Sequence, residues 1–360
     1  MKMNRFIVLL PVLLMTGRGL QGQQDSFVTY FSQDFGNSPA GRYDSASQVN
    51  DWPMGIAPWA DSWKTNSEDS LNIEYVALNE GTDSSEAVLV TYFRGNKGTA
   101  PDSTCNNWEG APPNVYCWGS GERFTFNVED LVDPDQAKGT VGYGFNVRMA
   151  VDDYAQGGKF GFTLLMGKDH GAGACAPDST EGFSHILMWS QPKAETGYVP
   201  AIVSYVYHQV PPYNGCDGPG PVYARFYIWD EIDSVKGDPA IIPYDEWFNV
   251  FVLLTPNSFT NGKANNDGII QGWMNGKMYL RKKGIMFIHE GYQQEHGEPA
   301  TWSQAEFATF FGGCNTGHLS TDDEFFWYDD YHLGKPAGPH FPDRDTVDRN
   351  FVIDFDWMRN

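Results

Sequence analysis

The chain runs to 360 residues, with 46 acidic against 24 basic side chains and a formal net charge of −22. A surface of that sign repels nucleic acid and anionic membranes, which removes both as partners. Aromatic residues make up 15% of the chain beside 39 Gly and 22 Pro, and no long stretch repeats with the helical period, which points to an all-β fold with elaborate loops.

Lys2 and Arg5 precede an apolar run from Phe6 to Met15 that contains Pro11. The run is too short to span a bilayer and reads as the core of a secretory signal peptide over residues 1–22. Removing Lys2, Arg5 and Arg18 with it brings the net charge to about −25. No later segment is apolar enough to cross a membrane, so a secreted, monomeric protein is expected.

From 27 to 96 the sequence is rich in Trp and polar turns, with one clear strand at 86–94. Residues 121–128 and 140–151 add strands, followed by 160–166, 184–190, 201–209, 222–229 and 247–254. Within 201–209, side chains alternate, so Tyr205 and Tyr207 share one face while Ser204, Val206 and His208 share the other. Two phenols so placed lie roughly 6–7 Å apart along the strand, a spacing that suits a carbohydrate groove. Residues 269–280 form a hairpin turning at Asn275-Gly276, the dipeptide that type I′ turns favour. Strands at 307–311 and 324–333 complete the sheets, and 336–360 reads as a tail lying across the sandwich. One domain over 23–335 is expected, since large β-sandwiches run long as single units.

The five cysteines fit structural disulfides in an exported protein, with one thiol left over. Cys105 and Cys117 flank a loop with Pro112-Pro113 and are expected to pair, Cys175 with Cys216 to tie two long loops, and Cys314 to stay odd. Neither a CxxC pair nor a His-rich cluster marks a metal site, and no redox cofactor is indicated.

Several motifs carry a family resemblance. In order they are Tyr143 with Val147-Arg148, Gly157-Gly158-Lys159, Gly182-Phe183-Ser184 leading to Met188-Trp189, and Tyr205-Val206-Tyr207-His208. Further on come Trp247-x-x-Val250, the Asp267-Gly268 to Asn275-Gly276 hairpin, Phe310-Phe311-Gly312-Gly313 and Asp329-Asp330. Their order and spacing, over 143–333, resemble polysaccharide lyase family 14, the alginate and polyuronate lyases. The resemblance implies a jelly-roll β-sandwich of the concanavalin (lectin-like) type and an acidic polysaccharide substrate of alginate or glucuronan type, cut by β-elimination. It further implies Tyr205 and Tyr207 as base and acid, with Lys159 and Ser184 binding or neutralising the uronate. Lys159 is the cation that lowers a tyrosine pKa, or itself the base. Arg148 and His208 complete the expected substrate-binding set.

The chain departs from that family at Ile186, where an arginine is usual, and at Ser190, where a basic residue is common. Lys159 is followed by Phe160-Gly161 in place of Leu-Pro-Gly. Isoleucine cannot replace a bidentate carboxylate fork. That leaves three outcomes: a different uronan, a substituted cation such as Arg148, or binding without catalysis.

Other readings compete with this one. A secreted jelly roll with exposed aromatics also suits a non-catalytic carbohydrate-binding or matrix protein. Glu231-Ile232-Asp233 begins like the catalytic strand of laminarinase-like hydrolases, but Lys236 stands where the acid is needed. No Gly-x-Ser-x-Gly elbow supports a serine hydrolase. His185 and Arg148 also fit structural roles, and Asp322-Asp323-Glu324 reads as a solvated turn.

Overall fold

The computed structural model describes residues 27–33, 41–43, 57–58, 73–76, 88–93, 121–132, 135–151, 158–168, 182–190, 199–208, 222–227, 240–311 and 324–336. The five cysteines, the N-terminal apolar run, the tail beyond Pro336 and the Glu231-Ile232-Asp233 motif lie outside them.

Strands dominate. In chain order they are β1 (Phe27–Gln33), β2 (Gly41–Tyr43), β3 (Ala57–Pro58), β4 (Ile73–Val76), β5 (Val88–Phe93) and β6 (Gly121–Asn127). There follow β7 (Val141–Ala150), β8 (Gly158–Gly167), β9 (Gly182–Trp189), β10 (Ile202–His208), β11 (Val222–Tyr227) and β12 (Trp247–Thr255). The last six are β13 (Phe259–Thr260), β14 (Lys263–Ala264), β15 (Gly268–Met274), β16 (Lys277–Ile285), β17 (Trp302–Phe311) and β18 (Glu324–Pro336). Among the described residues one short α-helix, α1 (Gly291–His296), ends where Gly297 takes the left-handed conformation. No described helix is long and apolar enough to cross a membrane.

Two antiparallel sheets carry the fold. The nine-stranded sheet runs β16-β15-β12-β7-β18-β5-β4-β2, with β1 also on β18, and the seven-stranded sheet runs β11-β10-β9-β8-β17-β6-β3. The long β18 pairs with β7 along one edge, while β5 and then β1 share its other edge. The β15–β16 hairpin turns at Asn275 and Gly276, both at positive φ (49° and 72°), as a type I′ turn demands.

Alternation along the strands builds the core between the sheets. Tyr143, Phe145 and Val147 of β7 and Val250 and Val252 of β12 meet Phe160, Phe162 and Leu164 of β8 and Phe183, Leu187 and Trp189 of β9. Phe162 meets Tyr331 edge-on with centroids 4.6 Å apart, and Phe183 stacks on Phe287 at 3.8 Å. Wholly burying a ring of this kind contributes about 2–3 kcal/mol.

A kink in β8 interrupts this regular packing. Across the β8–β9 pair, Lys159 faces Met188 and Thr163 faces Ile186, so β8 spends four residues where β9 spends two. Gly161 sits inside that irregularity at φ 77°, and a Cβ there would lie 2.1 Å from the Phe145 ring. Both the backbone and the packing therefore demand glycine. Gly161→Ala is expected to cost about 2 kcal/mol or more in denaturant unfolding, from strain plus overpacking. Gly262→Ala is the control: its φ of 74° is similar but nothing lies within 4 Å, so only about 1 kcal/mol of backbone strain is expected.

Candidate functional site on the seven-stranded sheet

Strand register fixes which side chains share the outer face of this sheet. On β10, Ser204 and Val206 are buried in the core while Tyr205 and Tyr207 are half-buried on the opposite side. Tyr205 faces Ile186 and Tyr207 faces Ser184 across the β9–β10 pair. Ile186, Met188 and Val203 form an apolar floor distinct from the main core, and the two tyrosines pack on it. Their rings meet edge-on with centroids 5.2 Å apart, and the Tyr205 hydroxyl donates to the Tyr207 hydroxyl at 3.1 Å. A phenol that accepts a hydrogen bond from its neighbour holds a phenolate charge more easily. The pair thus divides naturally into a donor and an acceptor.

Lys159 joins them on this face. It stands opposite Met188 on one side and Phe310 of β17 on the other. Met188 in turn faces Val203, so Lys159 is one step along the strand and two strands over from Tyr205, roughly 11–12 Å at the backbone.

The central row of the face reads Glu306 of β17, Thr163 of β8, Ile186 of β9, Tyr205 of β10 and Arg225 of β11. Glu306 and Thr163 are each only 2% exposed. Neither Arg225 nor Glu306 stands out in the sequence. The alternation Tyr223-x-Arg225 is visible there, but its alignment with Tyr207 and Tyr205 follows only from register.

Not every expected site residue gathers here. Arg148 belongs to β7 in the other sheet, where its Nε donates to Asp245 at 2.7 Å and its guanidinium lies 4.7 Å from the Trp327 ring. The core separates it from the tyrosines, because Val147 and Met149 on either side of it point inward. Arg148 therefore stands across the core from the tyrosines, held by Asp245. Ser184 reaches the tyrosine face but is 0% exposed, so it backs the Tyr207 position without presenting a hydroxyl to solvent. His208 falls in the alternate register with Ser204 and Val206, opposite Val222 of β11, off the parity of the tyrosines.

A polar chain runs through the core behind the site. His185 meets Ser204 Oγ at 3.0 Å from its Nε2 and Tyr143 Oη at 2.9 Å from its Nδ1. Neutral imidazole has one donor and one acceptor, and two hydroxyls satisfy both. Burial lowers the His185 pKa to about 3 and raises that of Tyr143 well above its usual value. Among the described residues, no cluster of three or more His, Cys, Asp or Glu side chains is arranged to hold a metal ion.

No protein-family model and no curated protein matches the chain. Solved structures do. The alginate lyase Aly36B aligns with a TM-score of 0.55 at 18% identity, over 86% of this chain and 98% of that one. A variant of that enzyme, with a lysine and a tyrosine replaced by alanine and an alginate tetrasaccharide bound, aligns at 0.53 and 17% identity, over 86% and 98% of the two chains. A marine PL-14 alginate lyase from Aplysia kurodai aligns at 0.48 and 15% identity, over 86% and 100%. The likeness is one of fold: an all-β sandwich shared with alginate lyases.

The buried histidine gives a pH signature. Its folded pKa of about 3 lies below the unfolded value of about 6.5, so the native state favours the neutral ring. The stability it contributes is complete above pH ~6.5 and is lost as pH falls toward 3, because only the unfolded chain binds the proton there. His185→Gln is expected to flatten the slope of unfolding free energy against pH in that window relative to the wild type. An unchanged slope would mean the ring titrates normally.

Proposed function

We propose that the protein is a polysaccharide lyase of the family 14 type, cutting a uronic-acid polymer by β-elimination across the face that carries Tyr205, Tyr207 and Lys159. The observation that carries this reading is the phenol pair, hydrogen-bonded at 3.1 Å on an outward face that also holds a lysine. The sandwich shared with an alginate lyase supports it at the level of fold. Export fits the N-terminal apolar run and puts such an enzyme where its polymer is.

The two phenols and the lysine divide the chemistry between them. One tyrosine, as phenolate, takes the proton from C5 of the uronate. The electron pair left at C5 forms the C4=C5 double bond as the C4–O4 bond breaks. The departing O4 takes a proton from the other phenol, and the proton gained by the first tyrosine restores the second across their hydrogen bond. The base is therefore regenerated and no water is consumed. An ordinary phenol titrates near 10, so the phenolate needs help at neutral pH. Lys159 supplies positive charge from one side, and the hydrogen bond from Tyr205 to Tyr207 makes Tyr207 the better anion. Charge developing next to the uronate carboxylate is stabilised by cations held in a water-poor groove.

The same face would also suit a binder that no longer cuts, and activity separates the two. Incubated with a panel of polyuronates, the protein is expected to generate ultraviolet-absorbing unsaturated uronate from at least one. Tyr207→Phe is expected to lower kcat by about 10²–10⁴, the usual range for losing a positioned acid or base. Lys159→Ala is expected to lower kcat comparably. Binding without product on every uronan would replace the lyase by the carbohydrate-binding protein.

A further inference from the structure

A uronate carboxylate sits on the carbon that loses the proton, so the group that neutralises it must stand beside the tyrosine pair. Ile186, one strand from Tyr205, is apolar. Arg148 is on the other sheet, held by Asp245. Lys159 lies two strands from Tyr205 and one step along. Arg123 shares the parity of this face, since it faces Ala308, but β6 is four strands from β10, roughly 19 Å away. Arg225 is the register partner of Tyr205 itself, and directly opposed Cα atoms are only about 4.5–5.5 Å apart.

We propose that Arg225 is the carboxylate-recognising residue of this face, holding the uronate from the β11 edge while Tyr207 acts at C5 and Tyr205 at O4. It takes over the role that Ile186 cannot fill, and it makes the face selective for sugars that carry a free carboxylate. A guanidinium suits the task because its planar fork pairs with both oxygens at once. The inference rests on the reading of this face as a uronan site and specifies how that site recognises its acid.

The test compares wild type, Arg225→Gln and Arg225→Lys by calorimetric binding of an oligouronate and of the same oligosaccharide with its carboxyls reduced to alcohols. Melting curves of the variants serve as the check on folding. Wild type is expected to prefer the acid by about tenfold or more, Arg225→Lys to keep part of that preference, and Arg225→Gln to lose it while binding the reduced sugar as wild type does. In parallel, elimination from the polyuronate and from its methyl ester is followed, with Arg225→Gln expected to lose about 100-fold in kcat/KM on the free acid only. A folded Arg225→Gln protein that still prefers the acid as wild type does overturns the assignment. So does equal loss on acid and ester, which marks a structural role. Wild type that binds the acid selectively but forms no unsaturated product refutes the lyase reading alone and leaves carboxylate recognition by Arg225 standing. Wild type indifferent to the carboxylate overturns the proposal.

Discussion

Everything at the tyrosine face depends on the register of β8, β9 and β10. Because strands alternate strictly, a slip of one residue would carry Tyr205, Tyr207 and Ile186 into the core and bring Ser204, Val206 and His185 out. The chain holds that register with polar groups placed where only one alignment satisfies them. His185 joins β9 to β10 through Ser204 and to the facing sheet through Tyr143. A shift of two residues would keep those groups inside but part them from these partners, at a cost of about 1–3 kcal/mol each. The network thus acts less as a source of net stability than as a penalty on the alternatives, and the tyrosine face inherits its precision.

The face that results is electrically uneven. Its floor is apolar, which lowers the local dielectric and strengthens any charge–charge interaction on it. Cationic residues stand at register positions on it, Lys159 on β8 and Arg225 on β11, while a net charge of −22 surrounds it. For an anionic polymer the global field opposes approach and the local cations favour capture. Salt screens the first beyond roughly 10 Å and weakens a short-range contact less.

Much of the architecture is legible in the sequence. Alternating runs bounded by Gly, Pro, Asn and Asp locate the strands of the second half to within a few residues, and Asn275-Gly276 names its own turn. The first 96 residues show one clear strand by pattern, yet the described residues there form five short ones, two to seven residues long and too brief for a period to emerge. The strand expected at 307–311 begins at Trp302, whose indole donates to the Gly139 carbonyl at 2.7 Å and anchors the start of β17. Local pattern cannot assign sheets. Arg148 and Lys159 sit eleven positions apart in strands of similar appearance, and only pairing shows that they belong to opposite sheets. For the same reason Arg225 is invisible to sequence reading: its relation to Tyr205 is a fact of register, written in no local motif.

The central claim is that this face eliminates and does not hydrolyse, and the mass of the cut ends decides it. A susceptible polyuronate would be digested in water enriched in heavy oxygen and the oligosaccharides weighed. Elimination consumes no water, so the account predicts fragments that carry no label and whose new non-reducing end is lighter by one water than a hydrolytic end. Labelled fragments at the full hydrolytic mass would contradict it, and would require a pair of carboxylates in place of the tyrosine pair as the reacting groups.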